Sequence, residues 1–237
     1  MKKHFIKLNS KKRNAIYFLY NVVHTLLFVF ILQSLLYQPF NIPSSSMEPN
    51  LKSGDKIIVE KFRYGYNSKS LPIYLNNFNM FSNILEKRKP ERGDIIVFQK
   101  GSKRYIKRLI GIPGDIIQIN QKELIINNIP NKKRFIGWDF NKNKFLYEEI
   151  LMNNITYTIY IQNNANKLTF PNNTPIYIIP KKYYFFMGDN RDNSVDSRSL
   201  ENMGFVSIDY IIGKAKIIFW IKAPFKLSKK RLFSVIK

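Results

Sequence analysis

Residues 43–49 read Pro-Ser-Ser-Ser-Met-Glu-Pro and follow an apolar N-terminal segment almost directly. Three adjacent hydroxyl side chains are compatible with a plain linker and equally compatible with a serine nucleophile held in a turn. A serine hydroxyl is a weak nucleophile unless a general base takes its proton. The choice between a linker and an active site therefore depends on whether the rest of the chain supplies a base.

The composition restricts which base is available. The chain of 237 residues contains no cysteine, and its two histidines, His4 and His24, both lie near the N-terminus. Zinc sites built on Cys and His are therefore excluded. A Ser-His-Asp or Cys-His enzyme is excluded as well, unless His24 inside the apolar segment were the base. The base of a hydrolase would have to be Lys, Asp or Glu.

The net charge of +23 would attract acidic partners of several kinds, including nucleic acid, anionic lipid and acidic polymers. The sign of the charge does not choose among them. Lys, Asn and Ile are abundant together, so a general compositional bias explains the charge equally well.

The N-terminal segment has the composition of a membrane anchor. Residues 1–13 are basic, and the apolar run at 16–37 has about 22 residues, roughly 33 Å as a helix and enough to cross a bilayer core. The alternatives are a cleavable signal peptide and a buried helix of a soluble protein. No small-x-small cleavage site follows the run, and a soluble helix is rarely apolar on all faces. We expect a basic cytoplasmic N-terminus over 1–13 and a transmembrane anchor over 14–38, with everything beyond it on the far side.

Beyond the anchor, short apolar runs alternate with turn residues, which is typical of β-strands. The clearest runs lie at 56–59, 94–98, 105–112, 115–119, 155–160, 183–186 and 211–221, and 123–128 has the pattern of a hairpin. This pattern predicts a mainly β protein. We expect a β core over 39–119 and 181–222, with a long polar connection at 65–90, and a β-rich insertion over 120–180. The basic tail over 223–237 would be either solvated or in contact with anionic lipid.

The segment at 104–115 offers a base for the serines. It reads RYIKRLIGIPGD, so that Lys107 lies between apolar neighbours in a predicted strand. A lysine in a strand usually lies on the solvated face. If it is buried instead, its pKa can fall by several units, because desolvation disfavours the ammonium form. A Ser-Lys dyad is the one common serine-protease chemistry that this composition permits.

The segment at 187–198, MGDNRDNSVDSR, alternates carboxylates, guanidiniums and hydroxyls. A calcium loop starting at Asp189 would need Gly at its sixth position and Glu at its twelfth, where this chain has Ser194 and Leu200. No metal site is expected here. The segment is either a surface turn with local ion pairs or a loop that bidentate Asp-Arg pairs hold rigidly against an active site.

These segments together resemble the bacterial type I signal peptidases, also called leader peptidases. The matching blocks occur in the family's order and are FNIPSSSMEPNL at 40–51, GDKIIVEKFRYG at 54–65, RGDIIVF at 92–98, RYIKRLIGIPGD at 104–115 and MGDNRDNSVDSR at 187–198. With the anchor and GKAKIIFWI at 213–221, the resemblance covers most of the chain outside 66–90 and 120–180. It implies the signal-peptidase β-fold, which is built on antiparallel sheets and shared with self-cleaving repressors, and no cofactor.

The resemblance also implies a role for individual residues. Ser46 would be the nucleophile, Lys107 its general base, and Ser44 a donor in the oxyanion hole. Ser194 would orient the lysine. The residues matching the shallow substrate pockets are Phe40, Ile42, Tyr105 and Ile106. The residues matching structural ion pairs are Arg108, Asp189, Arg191, Asp196 and Arg198.

The substrates implied are exported preproteins whose signal peptides carry small residues at P1 and P3. A single-pass enzyme would cleave them at the outer, periplasmic face of the bacterial cytoplasmic membrane, in contact with the bilayer and without nucleic acid. Ser45 stands where the family commonly has glycine and Asn50 where it commonly has threonine; Ser45 is tolerable only if its φ is ordinary. Two alternatives remain open, a self-cleaving Ser-Lys protease of the repressor kind and a non-catalytic basic membrane module.

Overall fold

The computed structural model describes residues 10–66, 69–70, 88–162, 173–222 and 231–236. It begins with α1 (Ser10–Leu36), whose apolar side chains are exposed. At 27 residues this helix is about 40 Å long. Among the described residues, one helix is long enough and apolar enough to cross a membrane, and this helix is α1. Residues 1–9 and most of the predicted connection at 65–90 lie outside the described part of the chain.

The end of α1 is tied to the β domain by hydrogen bonds. The last carbonyls of a helix have no partner within the helix and need one elsewhere. Lys61 Nζ donates to Ser34 O at 2.7 Å, and the hydroxyl of Tyr66 donates to Leu35 O at 3.0 Å. The first strand starts at Tyr37, directly after the helix, so the anchor and the domain are joined without a free linker.

The rest of the described chain consists mainly of strands, which are, in chain order, β1 (Tyr37–Asn41), β2 (Lys56–Glu60), β3 (Ile95–Lys100), β4 (Lys103–Gly111), β5 (Ile116–Asn120), β6 (Glu123–Ile126), β7 (Ile129–Pro130), β8 (Lys132–Asp139), β9 (Lys144–Ile150), β10 (Thr156–Gln162), β11 (Tyr177–Ile178), β12 (Tyr183–Met187), β13 (Val206–Ser207) and β14 (Ile211–Trp220). They form a seven-stranded sheet in the order β1-β2-β14-β3-β4-β12-β13, a four-stranded sheet β11-β5-β6-β7 and a three-stranded sheet β10-β9-β8. The pairs between these strands are antiparallel.

This architecture confirms the predicted fold class, a mainly β protein with antiparallel sheets after one apolar helix. The hairpin predicted at 123–128 is formed by β6 and β7. Its turn residues Asn127 and Asn128 have φ of 52° and 63°, the positive values that a two-residue hairpin turn requires. The sequence pattern did not resolve β1, β8 and β9 as separate strands.

Apolar side chains on both sides of the serine triplet fix its place in the fold. Ile42, Met47 and Leu51 belong to the core that packs against β2, β3 and β14, and both Met47 and Leu51 are 0% exposed. Burying a side chain of this size stabilises a fold by about 1.5–3 kcal/mol. The serines therefore lie in a segment anchored at both ends, which a flexible linker would not be.

The last described residues are packed against the domain. The backbone N–H of Phe233 donates to Ile218 O at 2.7 Å, and that of Ile236 donates to Lys216 O at 2.8 Å. Ile236 is buried, and Arg231 forms an ion pair with Asp55 at 2.6 Å. Residues 231–236 are thus attached to the β domain and are not a free tail; residues 223–230 and 237 lie outside the described part.

Candidate active site

The serine triplet lies in a series of tight turns between β1 and β2. The N–H of Glu48 donates to Ser45 O at 3.1 Å and the N–H of Leu51 donates to Met47 O at 2.9 Å. Ser45 is not among the residues with positive φ, so a serine in place of the family's usual glycine causes no backbone strain. Its hydroxyl also accepts a hydrogen bond from Asn193 Nδ2 at 2.8 Å, so Ser45 is more than a spacer.

The fold brings Lys107 to Ser46, although the two residues are 61 positions apart. Nζ of Lys107 lies 2.6 Å from Oγ of Ser46 and donates to Ile106 O at 3.1 Å. Lys107 belongs to β4, and only 4% of it is exposed. The usual solvated position of a strand lysine is therefore not the one adopted here.

The environment of Lys107 makes its amine unusually acidic. Burial lowers the pKa of Lys107 to about 8, and the nearby guanidinium of Arg198 acts in the same direction. The carboxylates of Asp196 and Asp189 oppose this shift, since they favour the ammonium form. An amine with this pKa is neutral in a substantial fraction of molecules near physiological pH and can accept a proton.

Ser44 and Ser194 differ in how they lie relative to Ser46 and Lys107. Oγ of Ser44 lies 3.2 Å from Oγ of Ser46, close enough to reach an oxygen bound there. The hydrogen bond expected from Ser194 to Lys107 is not formed. Oγ of Ser194 is buried and has no partner at hydrogen-bond distance among the described residues, but it lies near enough to the carboxylate of Asp196 to help lower the pKa of that group. Ser194 packs instead against Gly188, where an added Cβ would lie 2.2 Å from its Oγ.

The charged residues of the 187–198 segment form buried, bidentate ion pairs. Arg108, which is 0% exposed, donates from Nε and Nη2 to the two carboxylate oxygens of Asp189, both at 2.8 Å. Arg198 makes the same two contacts with Asp196, also at 2.8 Å. Arg191 pairs with Glu149 of β9, a partner that the sequence did not indicate. Burial alone would raise the pKa of Asp196, but Arg198 holds it below its usual value.

These ion pairs connect to residues near Ser46. Asp196 Oδ2 accepts from the N–H of Gly188 at 2.9 Å, and Asp189 Oδ2 accepts from Asn50 Nδ2 at 2.7 Å. Asn50 also donates to Thr158 O, so this departure from the family's threonine gains two partners. The segment is therefore a rigid support beside the serine triplet rather than a surface turn.

An apolar cavity of about 210 Å³ is lined in part by Ser44 and Lys107, close to Ser46. Its lining includes all four residues predicted for substrate contact, Phe40, Ile42, Tyr105 and Ile106, and also Val97, Ser44 and Lys107. Arg104 was not predicted there, but its guanidinium lies 5.5 Å from the ring centre of Phe40 and lines the same cavity. In the described residues, no group of three or more His, Asp or Glu is arranged to hold a metal ion.

Comparison with known proteins identifies the family. The family model for "Signal peptidase, peptidase S26" matches residues 15–220. The chain belongs to the signal peptidase family. Similar curated proteins include the signal peptidase I of Rickettsia typhi, 37% identical over 204 residues, and that of Rickettsia prowazekii, 37% identical over 205 residues; each alignment covers 80% of this chain and 74% of the relative. A crystal structure of a signal peptidase I from Enterococcus faecalis V583 matches with 26% identity and a TM-score of 0.34, covering 54% of this chain and 97% of that one.

Membership of the signal peptidase family confirms the resemblance and makes a non-catalytic membrane module the wrong interpretation. It also favours a signal peptidase over a self-cleaving repressor. Sequence reasoning missed Asn190, which contacts Ser45 and Ser46, and also Lys144, which contacts Asn190, and Lys142, which contacts Glu48. The two lysines lie in a stretch rich in Lys and Asn with no distinctive pattern, so no local signal distinguished them.

Proposed function

We propose that the chain is a membrane-anchored serine endopeptidase that removes signal peptides from exported preproteins with a Ser46–Lys107 dyad. The observation that carries this proposal is the buried contact of 2.6 Å between Nζ of Lys107 and Oγ of Ser46. Because burial lowers the pKa of Lys107 to about 8, the amine can take the serine proton without help from histidine.

This contact supports a reaction in two steps, formation of an acyl-enzyme and its hydrolysis. As Oγ of Ser46 bonds to the carbonyl carbon of the P1 residue, its proton passes to Nζ of Lys107. The oxygen that becomes negative is held by the backbone N–H of Ser46 and the hydroxyl of Ser44. Lys107 returns the proton to the leaving amine as the peptide bond breaks. It then takes a proton from a water molecule that attacks the acyl-enzyme, and passes that proton to Oγ of Ser46 as the ester bond breaks and the acid product leaves.

The cavity and the adjacent strand support a preference for small residues at P1 and P3. β4 pairs with β3 from Lys103 to Arg108, but with β12 only from Arg108 onward. Residues 103–107 therefore have one strand edge without a partner among the described residues, and an extended peptide can pair with it. Alternate side chains of that peptide would point into the cavity, whose volume of about 210 Å³ suits two small apolar groups.

The anchor supports action at the membrane surface. Phe40, which lines the cavity, follows Leu36 at the end of α1 by four residues, so it lies within about 14 Å of the helix end along the chain. With the basic flank in the cytoplasm, the cavity would face the outer side of the bacterial cytoplasmic membrane. A signal peptide that spans the same membrane would end beside it.

Cleavage of a preprotein by the purified full chain in detergent tests the proposal. The wild-type chain should release a mature protein whose new N-terminus, read by mass spectrometry, follows a small residue. Ser46→Ala and Lys107→Ala should each abolish release. Lys132→Ala, at an exposed position of β8 away from the proposed substrate edge, is the matched control and should cleave normally. Near-normal cleavage by either dyad variant would refute the dyad, and cleavage only of the chain itself would favour the repressor-like activity.

A further inference from the structure

Two lysines of the β-rich insertion contact residues that lie next to the serine triplet or hydrogen-bond to it. Lys142 lies in the turn between β8 and β9, and its ammonium pairs with the carboxylate of Glu48. Lys144, at the start of β9, donates from Nζ to Oδ1 of Asn190 at 2.7 Å. The insertion is thus connected to the active site by charged groups and is not merely attached to the far side of the core.

Asn190, which accepts the hydrogen bond from Lys144, itself donates to the backbone of Ser45 and Ser46. Its side-chain Nδ2 donates to Ser45 O at 2.9 Å, and its backbone N–H donates to Ser46 O at 3.0 Å. Asn190 is 1% exposed. One residue therefore holds the carbonyl groups on both sides of the nucleophile's Cα.

Because the peptide bond is planar, the hydrogen bond from Asn190 to Ser45 O also sets the direction of the N–H of Ser46. The C=O of Ser45 and the N–H of Ser46 belong to one trans peptide unit, so they point in opposite directions. Fixing Ser45 O toward Asn190 fixes the N–H of Ser46 away from it. That N–H donates to no atom of the described residues, which leaves it available for a substrate oxygen.

Lys144 determines which end of the Asn190 amide faces Ser45. An amide presents an accepting oxygen at one end and two N–H donors at the other. With the ammonium of Lys144 on Oδ1, rotating the amide by half a turn would place donor against donor. The ring of Tyr160 lies 5.7 Å from Nζ of Lys144, and the backbone N–H of Tyr160 donates to Asp189 O at 2.9 Å, next to Asn190. The lysine is therefore held in position rather than free in solvent.

We infer that Lys144 and Asn190 are positioning residues that aim the backbone N–H of Ser46 at the oxyanion. This inference rests on the proposed function. Losing an oxyanion donor typically lowers kcat about 10²–10³-fold. Asn190→Ala, which leaves Ser45 O with only its hydrogen bond from the N–H of Glu48 at 3.1 Å, should approach about 10²-fold, and Lys144→Ala, which only frees the amide to rotate, should lower kcat about tenfold.

Kinetics with a transition-state mimic separates this role from a structural one. A peptide aldehyde forms a hemiacetal with the serine whose oxygen occupies the oxyanion site, while KM reports the ground state. Lys144→Ala should weaken aldehyde inhibition by the same factor as it lowers kcat and leave KM within about twofold. Lys144→Arg, which keeps a charged donor, should recover most of the loss.

Arg134→Ala provides the matched control. Arg134 also lies on the β8–β9 hairpin and forms an ion pair with Glu148 at 2.6 Å, but it makes no contact with the serine triplet. It should leave kcat and aldehyde inhibition unchanged. An unchanged kcat in Lys144→Ala, or an equal loss in Arg134→Ala, would overturn the inference while Ser46→Ala remained inactive. Activity retained by Ser46→Ala would instead overturn the proposed function itself.

Discussion

Burying the amine of Lys107 opposes folding, so replacing it should stabilise the protein. The pKa of Lys107 falls from its ordinary 10.5 to about 8, and each unit corresponds to about 1.36 kcal/mol. The penalty is therefore about 3 kcal/mol. Between these two pKa values the unfolded chain binds the proton that the folded chain lacks, so stability rises with pH there. The penalty is complete below about pH 8 and vanishes above about pH 10.5.

Lys107→Met removes the charge and keeps a side chain of similar length. It also removes the contact with Ser46, which offsets about 1 kcal/mol of the gain. We expect the variant to be about 2 kcal/mol more stable than wild type at pH 7, and about 1 kcal/mol less stable above pH 10.5. Urea unfolding in detergent, followed by tryptophan fluorescence at several pH values, measures both quantities. Lys103→Met, at an exposed position of the same strand, should leave the unfolding free energy unchanged both at pH 7 and above about pH 10.5.

Two results would refute this reasoning. One is a Lys107→Met variant that is less stable than wild type at pH 7, which would mean that the amine is not desolvated. The other is a stability difference that does not change with pH, which would mean that the pKa of Lys107 is not lowered by folding.

Three further substitutions test other parts of the site. Ser44→Ala should lower kcat about 10²–10³-fold with little change in KM in steady-state assays, and an unchanged kcat would remove this hydroxyl from the oxyanion hole. Gly188→Ala would place a Cβ 2.6 Å from the nucleophile's carbonyl oxygen and should abolish cleavage. Gly137→Ala, with nothing within 4 Å of its Cβ, should cleave at the wild-type rate; equal rates in the two glycine variants would contradict the geometry. Asp189→Asn leaves the fully buried Arg108 without its counter-ion and should lower the unfolding free energy by about 3–5 kcal/mol in urea, whereas a loss below about 1 kcal/mol would mean that the pair is not buried.

The strands that the sequence predicted are those with strong local patterns. β2, β3, β4 and β14 contain runs of Ile, Val and Phe because they are covered by the core. β8 and β9 were not resolved, since their sheet is only partly buried and both of its faces carry polar or aromatic side chains. An apolar alternation is weak when neither face is fully covered.

The site could be predicted only to the level of its residue types. The absence of Cys and the position of the histidines left lysine as a candidate base, and the family's motifs then selected Lys107. Motifs identify neighbours but not hydrogen-bond partners, which is why the role expected for Ser194 did not match its position. The contacts of Lys144 and Glu149 join β9 to Asn190 and Arg191, which are more than 40 residues away in sequence, so nothing local could indicate them.

The described end of the chain shows how charge can mislead. The basic residues over 223–237, most of which lie outside the described part, favoured a solvated or lipid-bound tail. Residues 231–236 are held instead by backbone hydrogen bonds to β14 and by the ion pair between Arg231 and Asp55. An apolar residue such as Ile236 near a terminus gives only a weak signal beside so much charge.

The pH dependence of the single-turnover cleavage rate tests most directly whether neutral Lys107 activates Ser46. With the full chain in detergent and a preprotein substrate, the rate should rise about tenfold per pH unit below the lysine's pKa of about 8 and level off above it. A rate that stays flat from about pH 6 to about pH 9 would contradict the account, because the protonation state of the buried amine would then have no influence on the chemical step.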